Sequence, residues 1–310
     1  MIIPARDRPA LLAQAIESVL AQRVVRLDVI VVDDGSLDGT GAWLRSLGDP
    51  RLVTVAGGGR GVAAARNAGL ERVTAPLVAF LDDDDLWAPD KLEALRRRSS
   101  TGWSCTAAVL VDGSSEIIGI ERPWVGGDVA TVSLAANPVP GGASGVVAET
   151  ELVRSVGGFD GRYKVLAHWE LWVRMAHLSE LGTVDRPLHA YRVHEQAMSG
   201  AVAEARREVR LLEQEHRARR VASGVTVDLA RMEYWMGERA QRSGDRFGAA
   251  GAILRSARRN GSPRAVARAV EAVVRPGPSG WRDRRRAAAV DRDSLAEVRA
   301  WLPSPAGTDD

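Results

Sequence analysis

Apolar residues in the first 85 positions follow two spacings that alternate along the chain. In residues 9–22 they recur every three or four positions, which is typical of an amphipathic helix. Residues 28–32 and 77–81 are short runs rich in aliphatic side chains, which predict buried strands. The alternation predicts an α/β fold, with a mostly parallel central sheet and helices on both of its faces.

The pattern changes twice in the rest of the chain. Further strands are predicted at residues 104–111, 116–121, 145–148 and 188–193, and helices at 129–136, 149–156 and from about residue 168. Beyond residue 200 only helical periodicity continues, over residues 201–222, 227–243, 247–260 and 263–274. We therefore expect an α/β domain over residues 1–200 and a helical extension over residues 201–310.

Polar residues follow three of the predicted strands at the point where each strand ends. The three segments are Pro4-Ala5-Arg6-Asp7, Asp33-Asp34-Gly35-Ser36 and Asp82-Asp83-Asp84-Asp85. Because the carboxyl ends of neighbouring parallel strands meet at one edge of a sheet, we expect the three segments to converge. Ligands bind at that edge in open α/β sheets, so the convergence predicts a binding site there.

The four adjacent carboxylates of residues 82–85 need a compensating charge, because like charges at this spacing repel one another. A divalent cation would supply it, since Mg²⁺ and Mn²⁺ take oxygen ligands from one or two carboxylates and complete their shell with substrate phosphates. The alternative is structural: an acidic turn in solvent, or charges that favour the N-terminus of a helix beginning near residue 89.

Composition excludes several classes of protein. The chain of 310 residues is 45% apolar and 26% charged, which is typical of a globular protein rather than a disordered one. One cysteine rules out an internal disulfide framework. No apolar run reaches the roughly 18 residues of a membrane span, and no export signal opens the sequence, so we expect a cytoplasmic location.

The net charge of +2 gives little support to nucleic-acid binding. Arginines are concentrated towards the C-terminus, where residues 255–292 hold eleven arginines and three acidic residues. Within this region we expect a flexible basic segment at about residues 275–292. A solvated surface would account for the charge; contact of the helical extension with the inner membrane face, or with a second copy of the chain, is the alternative.

With these segments placed, residues 1–200 resemble the family 2 glycosyltransferases, GT-A fold enzymes with a Rossmann-like sheet that use nucleotide-diphospho-sugars. The resemblance rests on several motifs in order along the chain rather than on any single one. The motifs are residues 2–9, 30–40, 61–69, 80–92, Gly157-Gly158-Phe159-Asp160, Trp169-Glu170-Leu171-Trp172-Val173-Arg174 and Tyr191-Arg192-Val193-His194. Residues 201–310 carry no comparable motif.

The resemblance implies a donor site at the predicted sheet edge. Asp34 would accept a hydrogen bond from the nucleotide base, and a carboxylate suits the imide N–H of uracil or thymine, so a UDP- or dTDP-sugar is favoured. Asp82 or Asp83 would face the ribose, and Asp84 would ligate the Mg²⁺ or Mn²⁺ that bridges the diphosphate. The first strand end would contribute Pro4, Ala5 and Asp7 to the same nucleotide-sugar site.

For several of these residues the alternative to ligand binding is a purely structural role. Arg66 and Asn67 would lie at the pyrophosphate edge or hold the nucleotide loop, although Arg66 could equally be buried against one of the acids. His194 resembles a position that in some family members reaches the metal or the diphosphate, but a lone histidine is more often a structural residue. Asp33 or Asp34 could close an Asx-type turn between strand and helix.

The catalytic base is where this sequence departs from the family pattern. Family members carry a Glu-Asp pair just before the tryptophan, with the Asp as base, whereas Ala167 and His168 occupy those positions here. His168 is one candidate because the pKa of histidine lies near neutrality. Glu170 is a second, although on a helix it points about 200° away from His168. The third reading is an impaired enzyme that binds its donor without turnover.

The resemblance therefore implies an inverting glycosyltransferase that moves a sugar to an acceptor hydroxyl, with a glycan, lipid, metabolite or peptide as acceptor. A nucleotidyltransferase would normally carry a glycine-rich phosphate loop after the first strand, and residues 4–9 contain no glycine. The remaining alternative is a nucleotide-sugar or carbohydrate-binding protein without catalysis on the same fold.

Overall fold

The computed structural model describes residues 1–23, 26–96, 101–193, 201–242, 244–261 and 290–303, together with Val266 and Ala269. The chain divides into two compact units. The first comprises residues 1–133, residues 137–192 and the C-terminal segment from residue 290. The second comprises residues 134–136 and the described residues between 193 and 289. The C-terminal segment therefore belongs to the first unit, whereas the division predicted from the sequence placed it in the helical extension.

The N-terminal sheet has three parallel strands that lie side by side in chain order. They are β1 (Ile2–Ala5), β2 (Val29–Asp33) and β3 (Leu52–Ala56). The helices that follow them are α1 (Pro9–Leu20), α2 (Thr40–Ser46) and α3 (Val62–Arg72). β1 and β2 are buried along almost their whole length, which agrees with their unbroken apolar sequence.

The second sheet is mixed rather than parallel. Its strands are β4 (Leu77–Ala79), β5 (Leu86–Trp87), β6 (Trp103–Val111), β7 (Ile117–Glu121), β8 (Val146–Glu149) and β9 (Leu181–Arg192). Their order is β4-β8-β6-β9-β5, with β7 paired to β6. Among these pairs β6 and β9 run parallel and the others antiparallel. A parallel bridge between Ile2 and Phe80 joins β1 to the end of β4.

Four α-helices and a 3₁₀ helix lie among the described residues between 91 and 176, and the last of them carries two buried tryptophans. The helices are α4 (Lys91–Arg96), α5 (Val129–Ala135), α6 (Thr150–Ser155) and α7 (Ala167–Ala176), and a 3₁₀ helix spans Gly142–Gly145. Trp172 on α7 stacks on Trp103 with ring centroids 5.4 Å apart. The buried Trp169 donates its indole N–H to the carbonyl of Ser133 at 2.7 Å. Both tryptophans of α7 are therefore core residues.

The second unit contains four described helices. They are α8 (Ala201–Glu215), α9 (Arg217–Ser223), α10 (Leu229–Arg242) and α11 (Arg246–Asn260). Asp245 caps α11, where its Oδ1 accepts the backbone N–H of Gly248 at 2.8 Å. Gly237 allows α10 to approach α11 closely, since a Cβ at this position would lie 2.7 Å from Cγ1 of Ile253.

The C-terminal helix α12 (Arg292–Arg299) packs on the first unit through both apolar and charged contacts. Val298 is fully buried in a cluster with residues of β6 and β9. Arg186 of β9 pairs with Glu297, and Arg122 pairs with Asp291 at 2.9 Å. These contacts explain why the last described residues belong to the α/β unit.

The predicted α/β class is confirmed, and three details differ from the sequence-based expectation. The second sheet is mixed, and β9 begins seven residues before the predicted strand at 188–193 because its N-terminal half pairs with β6. The predicted helix at 201–222 is divided between α8 and α9. Most of residues 263–292 lies outside the described residues. None of the helices that the structure describes has the length and apolarity required to cross a bilayer.

Candidate functional site

The acidic loop, residues 82–85, connects β4 to β5 and turns its carboxylates in different directions. Asp85 points into the core, where its Oδ2 accepts the Ser144 hydroxyl at 2.5 Å and its Oδ1 accepts the backbone N–H of Arg192 at 2.9 Å. Burial, and next the charge of neighbouring carboxylates, raises the pKa of Asp85 well above its usual value. Asp85 therefore fastens the acidic loop to the end of β9.

Asp83 and Asp84 face one guanidinium group. Nη1 of Arg8 donates to Oδ2 of Asp84 at 2.7 Å and to Oδ1 of Asp83 at 3.3 Å. The backbone N–H of Arg6 donates to Oδ2 of Asp83 at 3.1 Å. Burial, and next the charge of Asp84, raises the pKa of Asp83 to about 7, although Arg8 acts in the opposite direction. Added positive charge would stabilise this pair of carboxylates, because it would offset their repulsion.

Asp82 pairs with Arg66 and does not share the guanidinium that binds the next two aspartates. Nη2 of Arg66 donates to Oδ1 of Asp82, and the guanidinium lies over the ring of Phe159, 5.0 Å from its centroid. Arg66 is only 4% exposed. It is thus buried against an acid of the loop, which was the structural alternative for this residue, and it supports Asp82 from beneath the site.

Asn67 does not reach the site predicted for it. Its side-chain amide donates to the carbonyl of Phe159 at 2.7 Å, and its side-chain oxygen accepts the backbone N–H of the same residue at 2.9 Å. Gly158 lies close to this side chain, since a Cβ at Gly158 would lie 2.6 Å from Oδ1 of Asn67. Asn67 therefore fixes the backbone around Phe159, and it is absent from the lining of the cavity described below.

Asp34 is buried at the end of β2 and holds a glycine-rich loop. Its Oδ1 accepts the backbone N–H of Arg60 at 3.0 Å, and its Oδ2 accepts that of Gly61 at 2.7 Å. Gly57 must lack a side chain, since a Cβ would lie 2.8 Å from Oδ1 of Asp34. An ionised carboxylate has about four acceptor positions, so Asp34 retains capacity for a ligand N–H.

Two further aspartates shape the turns beside Asp34. Asp33 closes an Asx-type turn, because its Oδ1 accepts the backbone N–H of Ser36 at 2.9 Å. Asp7 has a positive φ of 52°, accepts the backbone N–H of Leu37 at 2.7 Å and donates its own N–H to the Ser36 hydroxyl at 3.0 Å. These bonds tie the end of β1 to the turn after β2, so the first two predicted strand ends meet as expected.

A cavity of about 410 Å³ opens where the three strand ends converge. Its lining includes the predicted residues Pro4, Ala5, Asp7, Asp34, Asp82, Asp83 and Asp84. Four lining residues were not among the predicted site residues, namely Arg6, Arg8, Gly61 and Val62. The last two place the N-terminus of α3 at the cavity wall, and the first backbone N–H groups of a helix have no helical partner and favour anions. The feature of the sequence that could have identified Arg8 is its positive charge close to the end of β1, opposite in sign to the acidic loop.

The candidates for a catalytic base are placed very differently. Glu170 is 3% exposed, and both of its carboxylate oxygens accept hydrogen bonds from Arg174, with Oε1 at 2.7 Å from Nε. Arg174 in turn donates to the carbonyls of Val156 and Gly158. Glu170 is therefore the acidic half of a buried structural ion pair, which argues against its use as a base.

His168 is the other candidate base, and His194 is the histidine predicted to reach the metal or the diphosphate. His168 lies in the first turn of α7, is partly exposed and is absent from the lining of the described cavity. His194 follows β9 and lies outside the described residues. The end of β9 is nevertheless near the acidic loop, because Nε of Arg192 donates to the carbonyl of Asp84 at 3.0 Å.

The chemistry of the lining fits a hard divalent cation. Asp82, Asp83 and Asp84 line the cavity, and Mg²⁺ and Mn²⁺ prefer oxygen ligands such as carboxylates. Across the described part of the chain, no group of three or more His, Cys, Asp or Glu side chains is arranged as a complete metal site. A cation held by one or two of these carboxylates would thus depend on substrate oxygens for the rest of its shell.

Sequence comparison relates the first part of the chain to known proteins. The family model described as glycosyl transferase family 2 matches residues 1–119. Succinoglycan biosynthesis protein ExoO of Rhizobium meliloti (strain 1021) is 36% identical over 120 residues, which are 37% of this chain and 34% of ExoO. The uncharacterized glycosyltransferase alr2836 of Nostoc sp. (strain PCC 7120 / SAG 25.82 / UTEX 2576) is 28% identical over 222 residues, 64% of this chain and 66% of the relative. The chain thus spans from about a third to about two thirds of the length of these relatives.

Structure comparison identifies related folds at low sequence identity. Mannosyltransferase PcManGT from Pyrobaculum calidifontis, in complex with GDP-Man and Mn²⁺, has a TM-score of 0.54 at 20% identity and covers 96% of this chain and 85% of that one. S. aureus TarS 1–349, in complex with UDP-GlcNAc, has a TM-score of 0.51 at 13% identity and covers 84% and 91%. At these identities the likeness establishes a shared fold, and the predicted GT-A fold is confirmed.

Proposed function

We propose that the protein is an inverting glycosyltransferase of family 2, the family whose model matches residues 1–119, and that it moves a sugar from a nucleotide-diphospho-sugar to an acceptor hydroxyl. The observation that carries the proposal is the cavity at the convergence of three strand ends, with carboxylates on one side and Arg8 with the N-terminus of α3 on another. Such a site has groups for both a divalent cation and a diphosphate.

The nucleotide is expected at the end of β2. We infer that Asp34 accepts a hydrogen bond from the base there, since its carboxylate is fixed by two backbone N–H groups and has acceptor capacity left. A pyrimidine imide N–H matches a carboxylate acceptor, so UDP- or dTDP-sugars are the proposed donors. Pro4, Ala5 and Asp7 would border the same nucleotide from the end of β1.

Asp83 and Asp84 would hold the divalent cation, because both line the cavity and their carboxylates converge on one guanidinium group, that of Arg8. When bound, Mn²⁺ or Mg²⁺ would offset the negative charge on the departing diphosphate. His194 stays a candidate third ligand from the sequence. Asp82, supported by Arg66, would face the ribose.

The chemistry requires one proton to leave the acceptor. In the proposed reaction the acceptor oxygen attacks the anomeric carbon from the side opposite the diphosphate, so the C–O bond to the diphosphate breaks and the configuration inverts. His168 would take the hydroxyl proton, since the second candidate, Glu170, is committed to Arg174. The pairing of Glu170 also favours one rival function, a donor-binding protein without turnover.

Donor binding can be tested without knowing the acceptor. A thermal-shift screen of UDP, dTDP and GDP, each with and without Mn²⁺, should show stabilisation by UDP or dTDP that depends on the metal. Asp84→Ala should abolish that stabilisation. Asp293→Ala, which removes an exposed aspartate on α12, is the matched control and should respond like the wild type. Equal responses of both variants would refute the metal role of Asp84.

Turnover separates an enzyme from a binding protein. Release of UDP from UDP-sugars, with water as a surrogate acceptor, should be detectable for the wild type and should fall by about 10²–10⁴-fold in His168→Ala, the usual contribution of a general base. Glu170→Gln is expected to lower the free energy of unfolding and not to remove the catalytic base. A wild type that binds donor tightly but releases no UDP would support the rival function.

Cytoplasmic location, and contact of the helical extension with an anionic membrane surface or a second copy, stay predictions from the sequence. The same holds for the acceptor, which the family allows to be a glycan, lipid, metabolite or peptide. Sedimentation of the full chain with vesicles of anionic and neutral lipid would test the membrane prediction directly.

A further inference from the structure

Arg8 has a distinctive place in the cavity, because its guanidinium already neutralises the carboxylates that a metal would use. Nη1 lies 2.7 Å from Oδ2 of Asp84 and 3.3 Å from Oδ1 of Asp83. The side chains of the two aspartates are 13% and 11% exposed, whereas that of Arg8 is 29% exposed. The carboxylates are therefore fixed in the wall, and the guanidinium is the accessible member of the cluster.

Displacing this guanidinium would disturb little else. Within the described part of the chain, the side chain of Arg8 contacts no charged or hydrogen-bonding partner besides Asp83 and Asp84. Its backbone carbonyl accepts the N–H of Leu12 in the first turn of α1, so the main chain at this position is held by the helix. Rotation of the side chain alone would take the guanidinium away from both carboxylates.

A divalent cation and the guanidinium compete for the same oxygens. An ion such as Mg²⁺ lies about 2.1 Å from its carboxylate ligands. With Nη1 at 2.7 Å from Oδ2 of Asp84, the two cations would be near neighbours in a partly buried site, where their repulsion is weakly screened. Metal entry therefore requires Arg8 to leave.

The displaced guanidinium would have a partner only if a diphosphate is present. Its planar fork matches phosphate oxygens and binds them in pairs, unlike a single ammonium group. Arg8 lines the same cavity as the N-terminus of α3, which also favours anions. The donor would thus bring the metal's remaining oxygen ligands and the new partner of Arg8 together.

We propose that Arg8 is a displaceable counter-ion that occupies Asp83 and Asp84 in the free protein and transfers to the donor diphosphate when the metal enters. The inference rests on the proposed function, since it assigns a role within the same donor site. Its consequence is coupling: metal alone binds weakly, and diphosphate and metal each raise the affinity for the other by an equal factor.

The test measures Mn²⁺ binding to the full chain by the electron paramagnetic resonance signal of the free ion at pH 8, with and without UDP. Arg8→Gln should bind Mn²⁺ alone at least tenfold more tightly than the wild type. Added UDP should tighten Mn²⁺ binding tenfold or more in the wild type and less than threefold in Arg8→Gln. Arg51→Gln is the control, because Arg51 also pairs with an aspartate, Asp49 at 2.8 Å, but lies outside the cavity lining.

Two results would overturn the inference: equal or weaker binding of Mn²⁺ alone by Arg8→Gln, or equal UDP enhancement in wild type and variant. If UDP, dTDP and GDP all fail to affect wild-type Mn²⁺ binding, the proposed donor function fails, while tighter Mn²⁺ binding by Arg8→Gln would still support the competition. Should Arg8→Gln not fold, Arg8→Lys keeps the charge without the fork and is expected to show smaller changes in the same directions.

Discussion

Replacing Lys91 by methionine should stabilise the protein, and the gain should depend on pH. Lys91 is fully buried, and its Nζ lies 3.9 Å from the ring centroid of Trp87 with no hydrogen-bond partner among the described residues. Burial lowers the pKa of Lys91 well below its ordinary value of 10.5. The contact with the ring, worth about 2 kcal/mol for a desolvated cation, does not offset the several kcal/mol that burial of an unpaired charge costs.

The expected magnitude follows from the desolvated amine and from proton linkage. A buried polar group without a partner costs about 1–3 kcal/mol, which Lys91→Met would recover while keeping a similar side-chain volume. Below pH 10.5 the unfolded chain binds a proton at Lys91 that the folded chain does not bind, so this residue lowers stability as pH falls. The slope is about 1.4 kcal/mol per pH unit until the folded pKa is reached.

Urea denaturation followed by tryptophan fluorescence at pH 8.5 and 9.5 measures both effects. Lys91→Met should be more stable at pH 8.5, and its advantage over the wild type should shrink by about 1.4 kcal/mol at pH 9.5. Lys164→Met is the matched control, because Lys164 is exposed and is the one other lysine of the chain. It should stay within about 0.5 kcal/mol of the wild type at both pH values. A destabilised Lys91→Met with no pH dependence would refute the neutral buried amine and indicate a charged lysine bound to Trp87.

Three other substitutions test the supports of the site and the core. Asp85→Ala removes the acceptor of the Ser144 hydroxyl and of a backbone N–H of β9, and should lower the free energy of unfolding by about 2–4 kcal/mol. Asp85→Asn should lower it by less, and equal losses in the denaturation curves of the two variants would contradict the reasoning. Gly57→Ala places a Cβ 2.8 Å from Oδ1 of Asp34 and should cost about 1–3 kcal/mol, whereas Gly113→Ala, with open space around its Cβ, should be neutral in the same melts. Trp172→Ala should lose about 3–5 kcal/mol because a stacked, fully buried ring is removed, and a loss below about 1 kcal/mol would argue against its core role.

The amino-acid sequence was sufficient to locate the candidate site. The apolar runs that became β1 and β2 are local features, and the carboxyl ends of parallel strands share an edge whatever the other side chains do. Asp34 and Asp84 therefore line one cavity, as expected from the order of the strands alone.

The partners of the charged and polar groups had to come from the three-dimensional structure. Arg8 and Asp84 are 76 positions apart, and Asn67 reaches Phe159 across 92 positions. No local pattern encodes such pairs, because a hydrogen bond or ion pair depends on distance in space and on the water excluded around it. Glu170 is a different case, because its partner Arg174 lies four positions along the same helix, a spacing that the sequence itself shows. The burial of Glu170, and the backbone carbonyls that hold Arg174 in place, are decided by the tertiary structure.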